Sequence, residues 1–218
     1  AYQIDVSSNC AGVAQTRTCT NGTLSGSYIY QSCSASSGTT TVSLQNGLNS
    51  YTGNDDTFVR SKLATTNYGT ATTLQNDLND STGGNEYSLL KWNLSSIPAA
   101  AAVQTVNLGI NVSNSSAGTY NVYQYNRAWV ESTATWSNQT PDSYLGSLVG
   151  TILATSTGAK TITLNAAGIA MVQGWINGTV ANNGLLIKSA GTTDGLDIRS
   201  SEYSTLASRP MLTIQYAQ

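Results

Sequence analysis

The chain has 218 residues, no histidine, 9% charged residues and a formal charge of −2. That length suffices for one substantial domain with its own core plus an appendage. Scattered basic residues exclude an electrostatic footprint for nucleic acid, and no apolar stretch is long enough for a helical membrane span, "PAAAAV" at 98–103 being far too short.

Taken in chain order, the first forty residues read differently from the rest. "AYQIDV" alternates Tyr2, Ile4 and Val6 on one face and predicts a strand. The cysteine segment that follows holds Asn-Gly at 21–22 and "SGS" at 25–27, a hairpin signal. A turn centred near Gly26 would set Cys19 opposite Cys33, and a Cys19–Cys33 bridge is the leading pairing. Cys10–Cys33 is the alternative, and either leaves one cysteine over. "SCSASSGTTT" has linker composition, so a boundary is placed near residue 40, with an arm over 1–40 and a main domain over 41–218.

Beyond the boundary, strand signals dominate. "TVSLQNGL" (41–48), "YSLLKWNL" (87–94) and "VQTVNLGINVS" (103–113) alternate apolar and polar residues. Shorter runs follow at 120–125, 147–153, 160–164, 184–189, 195–200 and 210–216, separated by turn clusters such as "DSTGGN" and "SAGTTDG". One segment, "NAAGIAMVQGWING" (165–178), has helical spacing, with Asn165 as N-cap and Gly178 as stop. The expected fold is all-β: a jelly-roll-like β-sandwich with one short helix, plus an N-terminal strand and hairpin arm.

Without histidine, Ser-His-Asp and Cys-His catalysis and His-ligated zinc are excluded. The acidic residues fall mostly in turn contexts, so no paired-carboxylate hydrolase site stands out and a non-enzymatic role is expected. For a metal, oxygen donors cluster at Asp55 and Asp56 and at Asp77, Asn79 and Asp80, a pattern that would admit calcium. The bidentate glutamate that closes a calcium loop is missing, which favours the plainer reading of Asx-turns, so no cofactor is required.

Ordered pieces from residue 41 onward, "VSLQNGLNSYTGNDDTFVR", "TNYGTATTL", "YSLLKWNLSSIPAAAAVQTVNLGI", "AWVESTATWSNQTP", "MVQGWINGTVANNGLLIKSA" and "IRSSEYSTLASRPMLTIQY", resemble the DNRLRE domain family. These are β-sandwich modules of secreted microbial proteins that overlap with a family of carbohydrate-binding modules. The resemblance implies a jelly roll without catalytic residues and, in some members, sugar binding, sometimes with calcium. With four lysines in the chain, the positive face of acidic-polysaccharide binders has no clear counterpart. In the arm, "QTRTCTNGTLSGSYIYQSC" resembles short cysteine-containing repeats of large bacterial surface proteins.

Two functions are expected from these readings. The first is a structural subunit of a cell-surface filament or adhesive layer, a homopolymer joined by donation of the Tyr2, Ile4, Val6 strand to a neighbouring copy. The alternative is a carbohydrate-binding module, calcium-dependent or not, that meets extracellular polysaccharide through Tyr51, Tyr68, Tyr123, Tyr125 and Tyr144. The tryptophans are assigned to the core. Both readings place the chain outside the cell. Its start at Ala1 fits removal of a leader, and its Asn-x-Ser/Thr sites permit glycosylation.

Overall fold

A computed structural model describes residues 1–3, 6–7, 10–35 and 38–217, with backbone alone at 6, 7, 34 and 35. The chain forms two compact units, Ala1–Thr40 and Thr41–Tyr216.

The first unit is built of two-residue strands. β1 (Val6–Ser7) runs parallel to β4 (Ser34–Ala35), while β2 (Cys19–Thr20) and β3 (Thr23–Leu24) form a hairpin. The turn of that hairpin falls at Asn21 and Gly22, both at positive φ, which matches the right-handed twist of the strands it joins. Cys19 therefore lies opposite Leu24, and the bridge is Cys10–Cys33, with Cα atoms 5.7 Å apart. The expected Cys19–Cys33 pairing is corrected on this point, because the chain reverses at Asn-Gly before it reaches Gly26. Cys19 is a free, exposed thiol.

The N-terminal segment is paired within its own chain. Tyr2 exchanges backbone hydrogen bonds with Tyr30 (2.8 and 3.2 Å) and also bridges to Ala14. Ile4, the middle residue of the expected assembly strand, lies outside the described residues, and Val6 is described in its backbone only.

The second unit is one antiparallel sheet curled into two layers. Its strands are β5 (Thr39–Leu44), β6 (Asn54–Arg60), β7 (Thr73–Asp80), β8 (Gly84–Trp92), β9 (Ala102–Asn114), β10 (Thr119–Tyr125), β11 (Leu145–Leu153), β12 (Gly158–Thr163), β13 (Leu185–Ser189), β14 (Leu196–Arg199) and β15 (Met211–Ala217). β8 is where the layers part. Along one edge it pairs with β6 from Asn54↔Trp92 to Arg60↔Glu86. Its other edge is shared, β7 taking Gly84 and Glu86 and β13 taking Ser88 to Leu90. From that fork β13–β10–β11 continues one layer and β7–β14–β9–β15–β5 the other, with β12 beside β9.

Period-2 side chains fill the space between the layers. Leu90, Trp92, Val122, Leu185 and Ile187 face Val106, Leu108, Ile110, Val112, Leu212 and Ile214. The single-turn helix α1 (Trp136–Gln139) lies in a loop, and α2 (Ala166–Ile176) is the longer helix the sequence predicts. Asn165 caps α2 by accepting the Gly168 N–H at 3.0 Å. Gly168, Met171, Val172 and Trp175 then form the buried stripe.

A second, smaller core covers the outer face of β8. The excursion 126–144 folds back so that Trp129, Ala134 and Trp136 pack on Val59, Tyr87, Leu89, Tyr125 and Leu186. β8 is consequently buried on both faces from Glu86 to Leu90, whereas β9 keeps one face toward solvent.

Candidate functional site

The excursion that seals this second core also carries Glu131 to β6. Asp56 occupies the same face of β6 as Phe58 and is fully buried. Its backbone N–H donates to Glu131 Oε1 at 2.8 Å. Its Oδ2 accepts the Ser201 N–H at 2.9 Å, from the loop after β14. The Ser201 hydroxyl in turn donates to Glu202 Oε1 at 2.7 Å. One carboxylate oxygen from each of Asp56, Glu131 and Glu202 comes within 4.8 Å of the others.

Each loop has its own anchor. Asn67 Nδ2 donates to the carbonyls of Glu131 (2.7 Å) and Ala134 (2.8 Å), which fixes the excursion against the 66–71 loop. Gly69 permits that approach, since a Cβ there would fall 2.5 Å from the Glu131 carbonyl oxygen. The 66–71 loop is held in turn by Tyr68, which stacks on Phe58 at 4.3 Å under the Arg60 guanidinium. Ser200 Oγ donates to the Ala71 carbonyl at 2.6 Å and accepts the Glu202 N–H.

The electrostatics of this centre are unresolved within the protein. Asp56 Oδ1 and Glu202 Oε2 are buried and make no hydrogen bond among the described residues. Burial, reinforced by Glu202 and Glu131, pushes the Asp56 carboxyl well above the usual carboxylate range. Burial likewise raises Glu131. Two arrangements relieve such a cluster, protonation or a cation. Three carboxylates with no nitrogen or sulfur donor suit a hard divalent ion such as calcium or magnesium, and orphaned buried oxygens are what such an ion satisfies.

Of the metal candidates read from spacing, Asp56 alone belongs to this centre. Asp55 is on the opposite face of β6 and pairs with Lys91 at 3.0 Å. Asp80 Oδ1 accepts the N–H groups of Thr82 and Gly83 in the β7–β8 turn, and Asn79 takes a left-handed conformation there (φ +59°). Asp77 lies instead in a polar depression of 380 Å³ with Arg60, Asp80, Glu86 and Asp197.

The five tyrosines do not form one platform. Tyr125 is fully buried and donates to the Gln139 carbonyl at 3.1 Å. Tyr68 is occupied by its stack on Phe58. Tyr123 packs beside the second core, its hydroxyl accepting from Asn121 Nδ2. Tyr144 is exposed but carries the Arg127 guanidinium 4.6 Å over its ring. Tyr51 is half-buried, donates to the Asn93 carbonyl at 3.1 Å and borders a depression of 270 Å³. Trp92, Trp129 and Trp175 are buried, as expected of core residues.

Glu131 and Glu202 were not singled out by sequence spacing, because they reach Asp56 from 75 and 146 positions away. The signal that held them was their setting, "WVEST" and "SSEY", within the pieces that carry the family resemblance.

A curled β-sandwich with loops gathered on a buried carboxylate cluster defines the chain as a β-sandwich module. It belongs to carbohydrate-binding module family 96, whose sequence model matches residues 48–216. The match supports the carbohydrate-module side of the resemblance without bearing on the DNRLRE name, and comparison with curated proteins finds no match. It also favours the sugar-binding alternative over the filament subunit, for which it offers no support.

Proposed function

We propose that the second unit is a non-catalytic module that binds extracellular polysaccharide and whose loops are set by a bound calcium ion. The observation that carries the reading is the family match over 48–216. The absence of histidine fits a binding role, and the Cys10–Cys33 bridge suits an oxidising, extracellular setting.

Asp56, Glu131 and Glu202 would hold the ion, which supplies positive charge where three carboxylates otherwise repel one another. Asp56 presents Oδ1 from the sheet, Asn67 positions Glu131 through its backbone, and Ser201 positions Glu202. The residues themselves tie β6, the 126–144 excursion and the loop after β14 into one piece.

Affinity electrophoresis of the full chain through gels containing soluble polysaccharides tests the function. Retardation by at least one polysaccharide, with no release of reducing sugar, is the expected result. Migration unaltered by every polysaccharide would overturn it.

A further inference from the structure

At the end of β8, two depressions of 530 and 270 Å³ share Asn93 and Ser95 among their lining residues. We propose that these two adjoining depressions, bordered by Tyr51 and Trp175, form the glycan subsite and take an uncharged polysaccharide. The inference rests on the carbohydrate-binding reading above and deepens it.

The walls are preorganised. The Asn93 N–H donates to the Gly53 carbonyl at 2.7 Å, and the Tyr51 hydroxyl donates to the Asn93 carbonyl. Gly53 makes the approach feasible, since a Cβ there would fall 2.7 Å from Asn93 Cβ and 2.8 Å from the Tyr51 hydroxyl oxygen. On the far side Asn182 is fixed by donating to the Trp92 carbonyl at 2.7 Å and accepting the Gly184 N–H. A groove already in its binding shape loses little ordering entropy when a chain enters it.

The lining has the chemistry of a neutral sugar's surface. Leu94, Ile97 and Trp175 give an apolar floor for the C–H faces of pyranose rings. The exposed hydroxyls of Thr52, Ser95 and Ser96 and the Asn93 amide nitrogen have no partner among the described residues, so they are available to ligand hydroxyls.

Charge decides the class of glycan. Among the described residues no charged side chain lines either depression. Tyr51 is pushed up to about 12 by burial and stays neutral at working pH. A uronate carboxylate seated here would lose water without meeting Arg or Lys.

The test compares the full chain with Ser95→Trp, a bulky block at an exposed position, and with Thr52→Asp, which places a charge in the lining of the smaller depression. Retention is measured on neutral probes (mixed-linkage glucan, xylan and galactomannan) and on alginate and polygalacturonate, with melting curves confirming that both variants fold. The expected result is retention on a neutral probe that Ser95→Trp weakens by about tenfold or more, and Thr52→Asp in the same direction. Two outcomes overturn the groove while leaving the carbohydrate reading intact. They are stronger retention on the acidic probes, or neutral retention that folded Ser95→Trp and Thr52→Asp leave unchanged. No retention on any probe overturns both.

Discussion

The backbone N–H of Asp56 donates to the side chain of Glu131 at 2.8 Å, joining a sheet residue to a loop residue 75 positions away. This bond holds the second carboxylate over the first although the two repel each other. The carboxylates are therefore kept together by the surrounding hydrogen bonds in a geometry that repulsion alone would open.

A cation at this centre should stabilise the chain by mass action. At a hundredfold excess of calcium over its Kd the gain is about 2.7 kcal/mol, or roughly 5–10 °C in Tm for a unit of this size. Asp56→Asn removes a charged ligand and should abolish the calcium-dependent increment while leaving a cooperative transition. Calorimetry of both chains in calcium and in chelator measures this, and equal calcium increments in the two would count against the centre.

The pH dependence has a definite sign. Burial raises Asp56 and Glu131 above the usual range, and it raises Glu86, despite its ion pair with Arg60 at 2.8 Å, from 4.5 to about 7. Between the ordinary and raised values the folded chain holds more protons than the unfolded one, so stability is lost as pH rises. In chelator, Tm should fall as pH is raised from 4.5 toward 7, the window set by Glu86. Calcium should reduce only the part of that fall due to Asp56 and Glu131, because the ion offsets the cost of ionising them, and should leave the Glu86 part in place. A chelated chain that gains stability across this window would contradict the assignment.

The first unit makes a separate prediction. Native protein should react with one equivalent of a thiol reagent, at Cys19, and a non-reducing peptide map should join Cys10 to Cys33. Cys10→Ser should expose a second thiol and weaken the arm, a closed loop of this length contributing about 3 kcal/mol when unstrained. A map joining Cys19 to Cys33 would refute the assignment.

Much of the fold was legible because it is local. Val106, Leu108, Ile110 and Val112 alternate as a strand one layer deep must, and all four are buried. Asn165 and Gly178 mark the ends of α2 for reasons contained within one turn of helix. The 126–144 excursion was not legible, since burial of Tyr87 and Tyr125 depends on what lies above β8 rather than on any period within it. In retrospect the unbroken run "YSLL" was the local trace of that cover.

The site was legible only in part, for a related reason. Asp56 stood out beside Asp55, yet their shared motif conceals opposite fates, one buried and one paired with Lys91 at the surface. Strand alternation separates them once β6 is recognised as a strand. The groove residues Asn93 and Ser95 are ordinary in composition and acquire meaning from the bend that follows Trp92.

A centre drawn from residues 56, 131 and 202 has a consequence for the order of events during synthesis. A growing chain lacks the last carboxylate until all but the final strand of the unit has been made. Were an ion bound there, its capture would mark a nearly complete sandwich unit, and a fragment ending before Glu202 would carry two of the three carboxylates.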